Sequence, residues 1–252
     1  MLARTTATGR SPRQGLSLIE ILVIILIVGL LIGFLLLPVT RDVRPAVRRS
    51  ACKNHLKQIG LALHNYHDEY GSFPPAYTVD ADGRRLHSWR TLILPFIDEG
   101  PLYSQIDLAQ PWDSPANAAL HTDIPECYRC PSAESPRGET TYVAVVDAQT
   151  VWPGAESCQL KDITDGTSNT ILVIECVNAH IHWMEPRDLT LDMALTGLNS
   201  DATGSPSSGH VGGWHVLVSD GAVRFVSENI PLDGLSKLLR RNDGGAIQVE
   251  EW

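Results

Sequence analysis

The sequence predicts an α+β protein, in which a long N-terminal helix, transmembrane in its upper half and amphipathic in its lower half, packs on an antiparallel β-sheet head with short helices. Three observations predict this class. Residues 21–37 carry no charged or strongly polar side chain. An apolar stripe follows at helical spacing over residues 56–70, and β-branched segments separated by turn residues occur beyond residue 140.

Residues 16–38 are predicted to form a transmembrane helix. A helix over residues 16–37 is long enough for the roughly 30 Å hydrocarbon core of a bilayer. A secretory signal peptide usually has an apolar region of only about 7–15 residues and a small-residue cleavage site, which the sequence after Leu37 lacks. An ordinary signal anchor stays open as the alternative. Glu20 is unusual here, because a carboxylate in hydrocarbon is costly unless it is paired or lies at the interface.

Residues 39–72 are predicted to form an amphipathic stem helix. Pro38 disturbs the helix after the span, and the helical pattern resumes near Pro45. Gly71 then provides a typical helix end. The predicted apolar stripe consists of Leu56, Ile59, Leu63, Tyr66 and Tyr70.

The head, residues 73–252, is predicted to contain short helices and antiparallel strands. Ser88 and Asp113 can each cap a short helix. Asp220-Gly221 favours a two-residue type I′ turn, in which both residues have positive φ. Strands are predicted at residues 141–147, 170–177, 214–219 and 222–227, and a last helix at residues 232–241.

Charge is distributed unevenly along the chain. Residues 1–57 carry nine Lys and Arg against two acidic residues, a net charge of +7, whereas the whole chain carries −9, so the remainder carries −16. An acidic head on a basic stem disfavours nucleic acid as a partner. The flanking charges do not set the orientation of the span, because Arg residues both precede and follow it.

Gly15, followed by Leu-Ser-Leu-Ile-Glu and the apolar run, resembles the prepilin cleavage and methylation signal of type IV pilins and type II secretion pseudopilins. Phe is commoner in that family where Leu16 stands. The resemblance implies that residues 1–15 are a cytoplasmic leader, that a prepilin peptidase cuts between Gly15 and Leu16, and that the new amine of Leu16 is methylated. It also implies a pilin-like head, and that Glu20, the fifth mature residue, pairs with the N-terminal amine of a neighbouring pilin-like subunit.

A second resemblance covers most of the chain and ends in a His-x9-Asp-Gly motif, here His210, Asp220 and Gly221. It is to a large prepilin-type family whose outer domain has unknown function. His210 and Asp220 are expected at opposite ends of one strand, about 20 Å apart, so a structural role is preferred over shared metal ligation. The similar segments are residues 48–67, 70–75, 88–97, 100–103, 130–132 and 163–171.

The five cysteines leave at least one without a disulfide partner in a monomer. Cys127-x2-Cys130 has a spacing that suits a zinc knuckle or a redox pair. A disulfide or two reduced thiols is the preferred interpretation, and spacing alone does not pair the cysteines. The candidates for a disulfide or a metal are Cys127, Cys130, Cys158 and Cys176.

Two other groups of residues offer metal ligands. His180 and His182, on an extended segment, would present both imidazoles to one face near Glu175 or Asp188, although a solvent-facing strand edge is preferred. No cofactor is therefore expected, with calcium or zinc left open. Oxygens suited to calcium, without the spacing of an EF-hand, come from Asp162, Asp165 and Asn169.

No catalytic residue is predicted, because the sequence has no nucleophile elbow, phosphate loop, His-Glu-x-x-His motif or dinucleotide fingerprint. The lack of these motifs favours a non-enzymatic protein. By its resemblances the chain is expected to be pseudopilin-like, processed by prepilin peptidase, and assembled into or associated with a type II secretion or type IV pilus-like filament. Its expected location is the bacterial inner membrane, as a single-pass protein with a cytoplasmic N-terminus and a head in the periplasm or in an extracytoplasmic filament. The alternative is a membrane-tethered envelope protein that binds a carbohydrate, a metal or a partner protein and does not polymerise.

Overall fold

A computed structural model describes residues 17–36, 44–133, 135–197 and 206–244. The chain divides into two compact units, Met1–Val43 and Arg44–Trp252. The predicted leader, with Gly15, and Leu16 after it lie outside the described residues.

The first unit contains helix α1 (Leu18–Leu36). Ser17 and Glu20 form a capping box at its start, in which the Ser17 N–H donates to Glu20 Oε2 over 2.8 Å and the Glu20 N–H donates to Ser17 Oγ over 3.3 Å. The described side chains of α1 are exposed. Within the described ranges, no helix combines the length and the apolarity needed to cross a membrane.

The second unit begins with helix α2 (Arg44–Tyr70). The predicted single long helix is therefore described as two helices, with residues 37–43 between them outside the description. Leu56, Ile59 and Leu63 are fully buried, as the apolar stripe predicts, whereas Tyr70 is 59% exposed. Tyr70 lies in the last helical turn, at the rim of the packed face. The helix ends at Gly71, whose φ of 77° is the left-handed conformation typical of a helix C-terminus.

The described residues contain ten strands, four further α-helices and four 3-10 turns. The strands are β1 (Tyr77–Val79), β2 (Arg85–Ser88), β3 (Glu139–Thr140), β4 (Tyr142–Val143), β5 (Val145–Val146), β6 (Ile171–Glu175), β7 (Ile181–His182), β8 (Leu189–Thr190), β9 (Gly213–Val218) and β10 (Val223–Ser227). The helices are α3 (Trp89–Leu92), α4 (Gly100–Tyr103), α5 (Leu191–Ala194) and α6 (Leu232–Leu239). The α+β class is confirmed.

Strands β10, β9, β6 and β4 form, in that order, one antiparallel sheet. Three two-stranded pairings accompany it: β1 with β2 and β3 with β7 are antiparallel, and β5 with β8 is parallel. Every residue of β6 and β9 is buried, because both faces of the sheet are covered. Leu217 belongs to the core shared with α2, and Val216 to the core shared with α6.

The predicted strand at residues 141–147 is two short strands with different partners. β4 pairs with β6, whereas β5 pairs with β8. Between them the Ala144 N–H donates to Asp188 Oδ1 over 2.8 Å instead of to a neighbouring strand. The prediction of one strand was therefore wrong, because a buried side chain takes the hydrogen bond that would continue the ladder.

The hairpin of β9 and β10 forms as predicted, but its turn is different. Gly221 has a φ of 85°, whereas Asp220 is not among the residues with positive φ. The Gly221 N–H donates to the Val218 carbonyl, and the Asp220 N–H to the Thr167 carbonyl. These bonds fit a type I turn followed by a left-handed glycine, so the type I′ prediction was wrong. The neighbouring Thr167 segment helps to set the turn.

The short helices predicted from Ser88 and Asp113 are also smaller than expected. Ser88 occupies the N-cap of α3 without a side-chain cap, and α3 ends at Leu92. The Asp113 segment contains a single 3-10 turn, Ala118–Leu120, with Asn117 at its N-cap. Asn117 is buried and donates its side-chain amide to three backbone carbonyls, so it holds this segment as a compact loop.

Candidate functional site

Four potential metal ligands from distant parts of the chain meet between α2 and the sheet. They are Cys52, Cys130, Glu175 and His210, and we call them the buried cluster. Their ligand atoms all lie within 4.8 Å of one another, and all four residues are buried. Cys52 and Cys130 are joined by a disulfide.

Backbone geometry brings the members of the buried cluster together. Cys52 lies on the buried face of α2, and Glu175 is the last residue of β6. Residues 129–133, here called the Cys130 loop, are held against the sheet because the Cys130 N–H donates to Thr141 Oγ1 over 2.7 Å. A Cβ at Gly209 would lie 2.6 Å from the Ser132 carbonyl oxygen, so a glycine is needed for His210 to follow so close to the Cys130 loop.

The two oxygens of Glu175 have different surroundings. Oε2 accepts hydrogen bonds from Ser208 Oγ over 3.1 Å and from the His215 N–H over 3.5 Å. Oε1 has no hydrogen-bond partner in the described part of the chain and lies 3.7 Å from His210 Nε2. Burial raises the pKa of Glu175 to about 7, against the opposing effects of the Ser208 and His215 hydrogen bonds and of the Arg49 charge.

The two histidines beside Glu175 are held in their neutral form. His210 Nε2 lies 3.7 Å from Cys130 Sγ, and the His215 ring packs edge-on against that of His210. Burial lowers the pKa of His210, and the positive charge of Arg49 lowers it further. Burial, followed by His210 and Arg49, lowers the pKa of His215 to about 4. A neutral imidazole is the form that binds metals.

Two sulfurs, one imidazole and one carboxylate are the kinds of ligand that zinc takes in proteins. With the Cys52–Cys130 disulfide formed, the sulfurs are not thiolates, and the cluster is then a carboxyl–imidazole pair beside a disulfide. A cavity of about 420 Å³ borders the cluster at Cys130. Its lining includes the polar residues His55, Glu126 and Arg129.

The predicted cysteine candidates separate into two groups. Cys130 is in the disulfide, but its partner is Cys52, which was not among the candidates. Cys127, Cys158 and Cys176 are buried cysteines outside this disulfide. Burial raises the pKa of Cys127 to about 12, and those of Cys158 and Cys176 to about 11. Thiols with such pKa values react slowly at neutral pH.

The residues of the His-x9-Asp-Gly motif lie at the two ends of β9. At one end, His210 Nε2 lies 3.7 Å from both Cys130 Sγ and Glu175 Oε1 in the buried cluster. Asp220 Oδ1 accepts the Ala222 N–H over 2.8 Å at the tip. A Cβ at Gly221 would lie 3.4 Å from the His64 ring of α2, so the tip packs closely on this helix.

The other proposed metal ligands have different roles. His180 has a φ of 48° and is exposed, and its Nδ1 lies 3.1 Å from Glu139 Oε2. The half-buried His182 ring stacks on the Trp112 ring. Asp188 binds Arg90. Two of the three predicted calcium ligands accept backbone hydrogen bonds: Asp165 accepts the N–H groups of residues 243 and 244, and Asp162 accepts that of residue 159. The third, Asn169, donates its side-chain amide to the Asp165 carbonyl over 3.4 Å.

Sequence reasoning missed Cys52, and it placed Glu175 beside His180 and His182 rather than beside His210. Cys52 lies four residues before Leu56 and so continues the apolar stripe of α2. Glu175 ends the strand Ile171–Glu175, whose other residues are all apolar. An acidic residue in such a strand was a usable signal, because a buried carboxylate is rare without a partner.

A family model described as a protein of unknown function (DUF1559) matches residues 41–188 and 177–233, a region that contains all four members of the buried cluster. No curated protein and no solved structure matches the chain.

Proposed function

The chain belongs to this family of unknown function, which is often found in prepilin-like proteins, and from that premise we propose that it is a pseudopilin-like, single-pass membrane protein. Prepilin peptidase cuts it between Gly15 and Leu16. The mature chain then assembles into, or associates with, a type II secretion or type IV pilus-like filament. Its role is structural, and no reaction is assigned to the head.

The observation that carries the proposal is the uncharged run of residues 21–37 that follows the prepilin-like signal. Its residues up to Leu36 lie in helix α1, whose described side chains are exposed. Leu18, Leu30 and Leu31 are 75%, 66% and 63% exposed. A helix that is hydrophobic on all sides needs a cover of lipid or of other helices. In this proposal, membrane lipid surrounds the helix before assembly, and the helices of neighbouring subunits surround it after assembly.

Glu20 has a local role that is compatible with one in assembly. In the uncut chain its carboxylate caps the Ser17 N–H, and its side chain remains exposed. After cleavage the positively charged amine of Leu16 in a neighbouring subunit competes for this carboxylate. In a low-dielectric environment each charge alone is penalised, so the pair is favoured there more than at a water surface.

The packing of α2 also supports a pilin-like arrangement. Leu56, Ile59 and Leu63 of its apolar stripe are buried, and the Cys52–Cys130 disulfide ties the helix to the head. Within the Arg44–Trp252 unit, this is a helix attached along one face to a sheet.

Intact-mass analysis of the protein from membranes with active prepilin peptidase tests the proposal. We expect a mature chain that begins at Leu16 and carries one added methyl group, and an uncut chain for Gly15→Val. Crosslinking in the membrane should give ladders of subunits that disappear in Glu20→Ala but persist in Glu69→Ala, a matched exposed carboxylate on α2. An uncut wild-type chain beginning at Met1 contradicts the proposal.

The alternative function is a tethered receptor in the envelope that does not polymerise. The cavity of about 420 Å³ beside Cys130 favours it, because His55, Glu126 and Arg129 converge there. A monomer in crosslinking that is indifferent to Glu20→Ala, and that binds a soluble envelope component, supports this function. Loss of that binding in Arg129→Ala would locate the binding site in the cavity.

A further inference from the structure

We propose that the buried cluster is a redox-gated zinc site. Reduction of the Cys52–Cys130 disulfide frees two sulfurs, which bind Zn²⁺ together with Glu175 Oε1 and His210 Nε2. The site therefore has two exclusive forms, a disulfide without metal and a dithiolate with metal. This inference is independent of whether the chain assembles into filaments.

The two distances from His210 Nε2 to other ligand atoms of the cluster match those in a tetrahedral zinc site. With zinc bonds of about 2.0–2.3 Å, neighbouring ligand atoms lie about 3.3–3.8 Å apart. His210 Nε2 lies 3.7 Å from Cys130 Sγ and 3.7 Å from Glu175 Oε1. The remaining pairs are within 4.8 Å. The main rearrangement required is that the two sulfurs, bonded to each other in the disulfide, separate.

The hydrogen bonds of Glu175 direct one oxygen into the cluster. Ser208 and the His215 N–H hold Oε2, and Oε1 is left without a hydrogen-bond partner among the described residues. Glu175 is fully buried. A buried oxygen without a partner is costly, and a cation removes that cost. Metal ligands in proteins are commonly fixed by such outer hydrogen bonds.

A disulfide that serves only as a crosslink between α2 and the head explains Cys52 and Cys130 but leaves two residues unexplained. Neither the Glu175 carboxyl nor the His210 imidazole contributes to a crosslink, and burying polar groups beside it costs free energy. A metal form explains all four residues, because each then supplies one ligand atom.

The chemical step requires a dithiol reductant. The reductant transfers two electrons and two protons to the Cys52–Cys130 disulfide, gives two cysteine thiols and becomes a disulfide itself. Zn²⁺ then replaces the two thiol protons, which are released to solvent. Two thiolates and one carboxylate give the zinc site a net charge of −1. The Arg49 guanidinium, 4.3 Å from the Phe225 ring that packs on His215, places a compensating positive charge nearby.

Cobalt binding to the full-length protein in detergent tests the proposal. After reduction with dithiothreitol and its removal without oxygen, we expect one Co²⁺ per chain, with thiolate-to-cobalt charge-transfer bands and the visible bands of tetrahedral cobalt. Zn²⁺ should displace the cobalt and abolish these bands. The oxidised protein should show neither the charge-transfer bands nor the visible bands of tetrahedral cobalt. Absence of tetrahedral bands in the reduced wild type overturns the proposal.

Variants assign the ligands. Cys52→Ser is expected to halve the charge-transfer intensity and to weaken cobalt binding at least tenfold, and His210→Gln to weaken binding by a similar factor. Cys158→Ser, which changes a buried cysteine outside the cluster, is the matched control and should leave the spectrum unchanged. A spectrum that is the same in Cys52→Ser and in the wild type contradicts the assignment, as does one lost in Cys158→Ser.

Reduction alone can unfold the head, so near-ultraviolet circular dichroism accompanies the titration. If the reduced protein is unfolded, Zn²⁺ is expected to restore the native aromatic signal, because binding to the folded form stabilises it. A reduced protein that Zn²⁺ leaves unfolded overturns the proposal.

Discussion

Two buried polar sites in the head differ in how completely their charges are satisfied. Arg90 donates to both oxygens of Asp188, over 2.7 and 3.3 Å, and to several backbone carbonyls. Asp188 also accepts hydrogen bonds from the Ala144 N–H and the Trp89 indole. In the buried cluster, by contrast, Glu175 Oε1 has no hydrogen-bond partner among the described residues. A complete network holds a fold together, whereas an incomplete one points to a ligand.

The largest expected effect comes from breaking the complete site. Arg90→Met leaves Asp188 buried without its counter-charge, which should lower the free energy of unfolding by about 3–5 kcal/mol. Denaturation of the full-length protein in guanidinium chloride measures this loss. Arg187→Met is the control, because the Arg187–Glu185 pair is partly exposed and worth about 1 kcal/mol or less. Equal losses of unfolding free energy in the two variants would show that the buried Arg90–Asp188 pair is no more important for stability than the partly exposed pair.

The next effect concerns the covalent part of the buried cluster. The Cys52–Cys130 disulfide joins residues 78 positions apart. Its removal in Cys52→Ala should lower the free energy of unfolding by about 2–4 kcal/mol, because the unfolded chain regains conformational freedom. Dithiothreitol should destabilise the metal-free wild type but leave Cys52→Ala unaffected. If the reductant destabilises both proteins equally, its effect does not come from the Cys52–Cys130 disulfide.

A smaller effect of opposite sign is expected from Glu175→Gln in the metal-free, oxidised protein at pH 8. The amide keeps an oxygen for Ser208 and removes a buried charge whose second oxygen has no hydrogen-bond partner within the described structure. The free energy of unfolding should therefore rise by about 1–3 kcal/mol. Asp188→Asn is the matched carboxyl-to-amide change in the complete site and should lower it. If both changes destabilise to the same extent, the comparison between the two sites fails.

The smallest effect is a pH dependence at a satisfied neutral histidine. His182 Nδ1 accepts the Met184 N–H, and Nε2 faces the His121 carbonyl. Burial lowers the pKa of His182 below its ordinary value of 6.5, with His121 adding to the effect. The unfolded chain then binds a proton more readily than the folded one, so stability present above pH 6.5 is lost as the pH falls towards the folded pKa.

Unfolding measured from pH 7 to pH 5 should therefore show a shallower loss of stability in His182→Gln than in the wild type. His180→Gln, two residues away and exposed, is the control for the loss of an imidazole. Parallel curves for all three proteins would exclude His182 as the acid-sensitive group.

Much of the fold was predictable because its signals are local. Helix α2 carries its buried face at spacings of three and four, and Gly71 ends it in the left-handed conformation. Strands β6, β9 and β10 follow from runs of β-branched and aromatic residues, and α6 follows from leucines on one side. In each of these cases a pattern of a few adjacent residues determines the local structure.

The sequence by itself determined the α+β class, the amphipathic helix and the β9–β10 hairpin. Only the tertiary structure decided which cysteine pairs with Cys130, where the strand at residues 141–147 breaks, and that Glu175 and His210 meet. The physical reason is sequence separation. The cluster joins residues 52, 130, 175 and 210, which no local pattern connects. Their proximity arises because α2 and the Cys130 loop pack against the same end of a sheet whose strands come from distant segments.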